Sequence, residues 1–247
     1  MFAGAFKKRK MKRLICVLCL VGAVQFAFSQ SGEMAEGDSI PWEIRKQSFI
    51  YNTAKLFNDP AVTKMALYNL ISENPANPAL YDSLALIYLQ YQQFASAALV
   101  AQQSIKLNNQ NMFATEVAAT SLDNLGAKDK AIPYYEALYL SNNDINTLYK
   151  IAFLQMEVER YGESVTSIDI IMGNEESKES FIVFPTEDGK GQEVPLNVCA
   201  HRIKAMIEEK KGNEDEAKKL YLATLEMYPG FQVVQSQLQS VGKEAEN

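Results

Sequence analysis

Residues 78–111 read PALYDSLALIYLQYQQFASAALVAQQSIKLNNQN, and residues 112–145 read MFATEVAATSLDNLGAKDKAIPYYEALYLSNNDI. In the first stretch Tyr81, Leu84, Ala85 and Tyr88 recur at i, i+3, i+4 and i+7, the spacing of one amphipathic helix face. Phe94, Ala97, Ala101 and Ser104 give a second helical stripe, and the polar run between the two is broken only by Tyr91. A shift of 34 residues lays Ala118, Ala119 and Leu122 over Leu84, Ala85 and Tyr88. The same shift lays Ala131, Tyr135 and Leu138 over Ala97, Ala101 and Ser104, with Gly126 at the turn. Moving outward, 44–77 fits loosely and closes at Pro75. A unit at 146–177 opens with Tyr149, Ala152 and Met156 and is one residue short near Tyr161 and Gly162. A last copy, 198–231, carries Ala205, Gly212, Ala217, Tyr221 and Pro229. One such helix pair cannot bury its apolar face alone, so pairs in a common frame stack.

The period, the small residues at positions 8 and 20, the glycine near 15, the aromatic near 24 and the proline at 32 resemble the tetratricopeptide repeat family. Small residues at 8 (Ala85, Ala119, Ala205) and 20 (Ala97, Ala131, Ala217) let two helices approach closely, and larger neighbours fill the space around them. The resemblance implies an all-α fold: a right-handed solenoid of about five helix hairpins with a C-terminal capping helix. The cap is expected over 232–247, on a stripe of Phe231, Val234, Leu238 and Val241. Pro133 is expected in the first turn of its helix, where proline is tolerated. Lys204 and Glu208 stand where repeat five should be apolar, which predicts looser packing of its first helix. Residues 30–43 read as a flexible leader, with Trp42 docking at its end.

Between the fourth and fifth copies lie about 20 extra residues, 178–197. Phe181, Ile182, Val183 and Phe184 form a β-prone run, 186–191 is rich in turn residues, and Glu193 to Leu196 can return as a strand that Pro195 confines to an edge. This predicts a β-hairpin projecting from the solenoid. It serves either as a flap that meets a partner or as a lid over the irregular edge of repeat four.

The first 29 residues carry six basic side chains (Lys7, Lys8, Arg9, Lys10, Lys12, Arg13) and no acid, then an apolar run from Leu14 to Phe28. Ala27 and Ser29 supply the small residues of a cleavage site, so 1–29 reads as a secretory signal peptide. Cys16 and Cys19 follow Ile15 and Leu18 rather than the small residue of a lipoprotein signal, which argues against a lipid anchor. The expected destination is the periplasm, with secretion or an uncleaved signal anchor as alternatives. The rest of the chain holds 18 basic against 30 acidic residues, a net charge of -12. Such a body repels nucleic-acid phosphate and anionic lipid.

Catalytic chemistry has little to stand on. Beyond the signal there is one cysteine, Cys199, and one histidine, His201; two apart on a helix, they diverge by roughly 200°. One histidine cannot build a multi-histidine metal site, and no nucleophile elbow or phosphate loop is present. No metal, cofactor or enzymatic activity is expected. The resemblance instead implies a concave groove lined by the first helices. It assigns Ala79, Asp82, Leu86, Leu89 and Gln90 from repeat two, and Phe113, Glu116, Thr120, Asp123 and Asn124 from repeat three. Repeat four adds Thr147, Lys150, Leu154, Glu157 and Val158. The Lys and Asn pair with which some members clamp a terminal carboxylate is replaced by Asp82 and Leu86. The carboxylates of this lining either favour a neutral or basic segment or only keep the surface soluble. The expected function is a non-enzymatic exported scaffold that binds a peptide or helix of another protein. The alternative is a module for glycan or peptidoglycan fragments, for which Phe113 is the clear groove aromatic.

Overall fold

The computed structural model describes residues 40–186 and 189–241, and the proposed signal peptide and residues 30–39 of the leader lie outside them. The described residues from Pro41 on form one compact unit. Among them are twelve helices and two strands. Five hairpins follow in order: α1 (Trp42–Leu56) with α2 (Pro60–Glu73), α3 (Pro78–Gln90) with α4 (Phe94–Leu107), α5 (Met112–Asn124) with α6 (Lys128–Asn142), α7 (Ile145–Glu157) with α8 (Tyr161–Gly173), and α10 (Leu196–Lys210) with α11 (Glu214–Met227). The short α9 (Glu176–Glu179), β1 (Phe181–Phe184) and β2 (Gln192–Pro195) separate the last two hairpins, and α12 (Gln232–Ser240) ends the array.

The small residues at the helix crossings have no exposed surface: Ala85 and Ala97, Ala119 and Ala131, Ala205 and Ala217 are all fully buried. Each hairpin turns through a residue in the left-handed region, at Asn58, Gln92, Gly126, Glu159 and Gly212. Glycine is needed there only to avoid a Cβ penalty of about 1–2 kcal/mol, which three of the five turns bear. Asn77, Asn111 and Asp144 accept backbone N–H bonds at the starts of α3, α5 and α7 and fix where those helices begin.

These markers correct the frame of repeat four. The left-handed turns at 58, 92 and 126 are 34 residues apart, but 159 follows 126 by 33, and the caps at 111 and 144 show the same step. The missing residue therefore lies in the α6–α7 connection, not at Tyr161 and Gly162. Repeat four starts at Ile145, its small pair is Ala152 and Ser164, and the Ser164 hydroxyl donates to the Ala152 carbonyl at 2.7 Å. Other expectations change too. Helix α1 already includes Trp42 and Glu43 of the proposed leader, and Trp42 is 67% exposed rather than docked. Phe49, Leu56 and Phe57 are exposed as well. Pro133 is the sixth residue of α6, so it removes the N–H that would have bonded the Asp129 carbonyl. Helix α10 is densely packed, because Ile203 and Ile207 take up the burial that Lys204 and Glu208 do not supply.

The insertion forms the expected antiparallel hairpin, with Ile182 opposite Val194 and Val183 opposite Glu193. It does not project. Val194 is fully buried in a cluster with Val198, Cys199, Phe231 and Val234, and the Phe184 ring meets Phe231 edge-on at 4.9 Å. The Gln192 amide donates to the Gly230 carbonyl, and the Tyr228 hydroxyl donates to the Glu193 carbonyl at 3.2 Å. Beyond it, α12 buries Val234 and turns Gln232, Gln235, Ser236 and Gln239 to solvent.

Candidate binding groove

The surface at issue runs along the first helices of successive hairpins, α3, α5, α7 and α10. On α3, Leu86 and Gln90 are exposed. On α5, Glu116 is exposed, while Phe113 and Thr120 are half-buried. Ala79 on α3 and Asn124 on α5 are exposed as well. Phe113 packs against the cluster of Ala85, Ala114 and Val117 and stays partly exposed.

The carboxylates are less available than the sequence implied. Asp82 accepts from the Ser104 hydroxyl at 2.6 Å and from the Asn111 amide at 2.8 Å, and Asn111 in turn caps α5. Asp82 thus holds the α3–α5 joint together. Asp123 is paired with Lys150 across α5 and α7 at 2.6 Å. Glu157 takes Lys128 from α6 and Lys210 from α10. The hydrogen bond from Lys128 is the main reason the Glu157 carboxyl sits below its ordinary range. Two of the four groove acids, Asp123 and Glu157, therefore neutralise cations of the same chain. Asp82 is held by neutral donors, and Glu116 has neither kind of partner among the described residues. The preference for a basic segment inferred from those acids loses half of its basis.

Leu154 is 1% exposed and packs with Ala98, Leu122, Ala131 and Ile132, so it belongs to the core rather than the groove. The frame slip explains the misplacement: counting from Ile145, the groove positions of repeat four are Asn146, Tyr149, Phe153, Met156 and Glu157, of which Met156 is itself fully buried in the core. Tyr149 then corresponds to Arg202 of repeat five, and both lie beneath the hairpin. Arg202 stacks under the Phe184 ring at 5.5 Å and donates to Gln237 of α12. Burial raises the Tyr149 hydroxyl pKa, while the neighbouring Arg202 works in the opposite direction. The protein's own hairpin thus covers Tyr149 and Arg202, while Asn146, the first groove position of repeat four, stays exposed. Lys128, Lys210 and Arg202 were not singled out from sequence, and Phe184 only as part of the β-prone run; their roles follow from contacts between repeats that no local pattern marks.

Cys199 and His201 turn to different neighbours. The Cys199 thiol meets the Val194 carbonyl at 3.6 Å, and burial pushes its pKa up to about 12, so it is no thiolate at neutral pH. His201 Nδ1 lies 2.9 Å from the Thr224 hydroxyl, and burial, then Lys204, lowers its pKa.

No protein-family model matches the chain, and no curated protein matches it in sequence. Solved structures do match. A tetratricopeptide repeat protein from Parabacteroides merdae superposes with a TM-score of 0.56 at 17% identity, over 81% of this chain and 73% of that one. The fold is that of tetratricopeptide repeat proteins. YrrB, a TPR protein with an unusual peptide-binding site, gives a TM-score of 0.57 at 12% identity over 76% of this chain and 88% of its own. MamA from Desulfovibrio magneticus gives 0.53 at 11% identity, over 78% and 99%.

Proposed function

We propose that this chain is a non-enzymatic, exported scaffold that holds a segment of another protein along α3 and α5. The observation that carries the reading is the mixed strip of exposed Leu86, Gln90 and Glu116 beside the half-buried Thr120 and Phe113, on helices whose backbone hydrogen bonds are internal. Such a rigid strip offers an apolar anchor, hydrogen-bonding groups and one carboxylate without any ordering of its own, which favours peptide capture. The peptide-binding site of YrrB, a protein of the same fold, supports it. Export rests on the basic and apolar pattern of residues 1–29.

The test uses the chain from Gln30 on, beside a Leu86→Asp, Glu116→Lys variant, as bait in the envelope fraction with cross-linking and mass spectrometry. The reading expects a protein cross-linked to α3 or α5 by the native chain and lost with the folded variant. Equal capture by both rules out the strip as the site. Sequencing the amino terminus of exported protein tests the signal, which predicts a start at Gln30.

A further inference from the structure

The hairpin has one closed edge and one open edge. Leu196 donates to the Ser180 carbonyl, which sets the alternation of the ladder: Ile182 with Val194 and Phe184 with Gln192 are the hydrogen-bonded pairs. Glu193 consequently directs its carbonyl away from β1, where Tyr228 donates to it and closes that edge. By the same alternation, Phe181 and Val183 aim their N–H and C=O groups away from β2, and no group of the described residues bonds them. Their side chains are 50% and 64% exposed on the face opposite the buried Val194. Natural edge strands are commonly blunted by a lysine, a proline or a bulge, and β1 itself carries none. Glu179 lies two residues before β1 and Glu193 stands opposite Val183; both are exposed and form no ion pair among the described residues, while Lys178 is taken by Glu175.

We propose that the β1 edge accepts an extended segment of a partner protein as a third strand, one with alternating apolar residues and basic flanks. Backbone bonds to Phe181 and Val183 supply the pairing, the two exposed side chains supply a small apolar face, and the acidic surround selects positive ends. A second copy of this chain would bring the same glutamates into apposition, so the charge pattern favours a different partner. This edge is separate from the α3–α5 strip and does not depend on it.

Val183→Pro is the informative variant, because it deletes an outward N–H and leaves the β1–β2 bonds in place. The probe is a fluorescent nine-residue peptide alternating valine and threonine between terminal lysines, titrated by anisotropy into the chain from Gln30 on. The proposal expects saturable binding, about tenfold weaker with Val183→Pro, the equivalent of one or two lost hydrogen bonds. It expects similar weakening when the peptide is N-methylated on the edge that would face β1, a readout that does not depend on the variant's folding. It expects no effect of Leu86→Asp, which reports on the other surface. Undiminished binding by the proline variant and by the methylated peptide overturns the proposal, as does equal affinity for a glutamate-flanked peptide. A concentration-dependent dimer that Val183→Pro abolishes also overturns it, in favour of a second copy on the same edge.

Discussion

Truncating Leu154 to alanine distinguishes the two frames for repeat four. If the repeat began at residue 146, Leu154 would line the groove and its loss would be felt by a ligand. In the structure it is 1% exposed, wedged between α6 and α7 against Ile132, Leu122 and Ala131. Removing its outer carbons forfeits about three buried methyl or methylene groups at ~0.8 kcal/mol each. The surrounding helices are locked by the caps at Asn111 and Asp144 and close only part of the hole, which adds a cavity term. The expected loss is about 3 kcal/mol, within the roughly 2–5 kcal/mol typical of buried leucines. With an m-value of about 2 kcal/mol per molar urea, the midpoint falls by about 1.5 M. Leu86→Ala, 36% exposed on α3, is the control and costs about 1 kcal/mol or less. Urea unfolding followed by circular dichroism measures both. A Leu154→Ala loss no greater than that of Leu86→Ala refutes the frame derived from the caps and turns.

Gly126→Ala tests the turns: a Cβ there meets nothing within 4 Å, so the expected loss of about 1 kcal/mol, read from the same urea curves, is backbone strain alone. His201 is held neutral by burial, so the unfolded chain takes its proton at a higher pH than the fold does. Its contribution is complete above its ordinary pKa of about 6.5 and is lost as pH falls from there through the lower folded value; His201→Gln should flatten the stability profile across that window. Cys199 should resist thiol reagents in the native chain from Gln30 on and react at the rate of unfolding, which mass-spectrometric labelling follows.

The period, the crossing alanines, the hairpin and the cap were legible because each leaves a local signature: a spacing, a small residue, a turn cluster. The frame of repeat four was not. Tyr149, Ala152 and Met156 form an apolar stripe from either starting residue, and Ser164 hides the small position that Ala97 and Ala131 advertise. Only the cap at Asp144 and the left-handed Glu159 break the tie, and both are conformational facts. The groove carboxylates failed for a related reason. Asp123 and Glu157 look free along the chain, but Lys150, Lys128 and Lys210 reach them from other helices. The hairpin's docking was likewise unreadable, since it depends on Gly230 and Tyr228 arriving some 35–40 residues later.

The two ends of the array are not alike. After Val234 the outward face of α12 is glutamine and serine, and the hairpin braces it from the side. At the other end α1 presents Trp42, Phe49 and Leu56 at seven-residue intervals, each more than half exposed. A duplicated 34-residue tile spliced ahead of Trp42 would meet a surface able to accept it, whereas the same tile after Ser240 would meet one made for water. Among the described residues, the α12 end is thus faced for water and the α1 end for apolar packing.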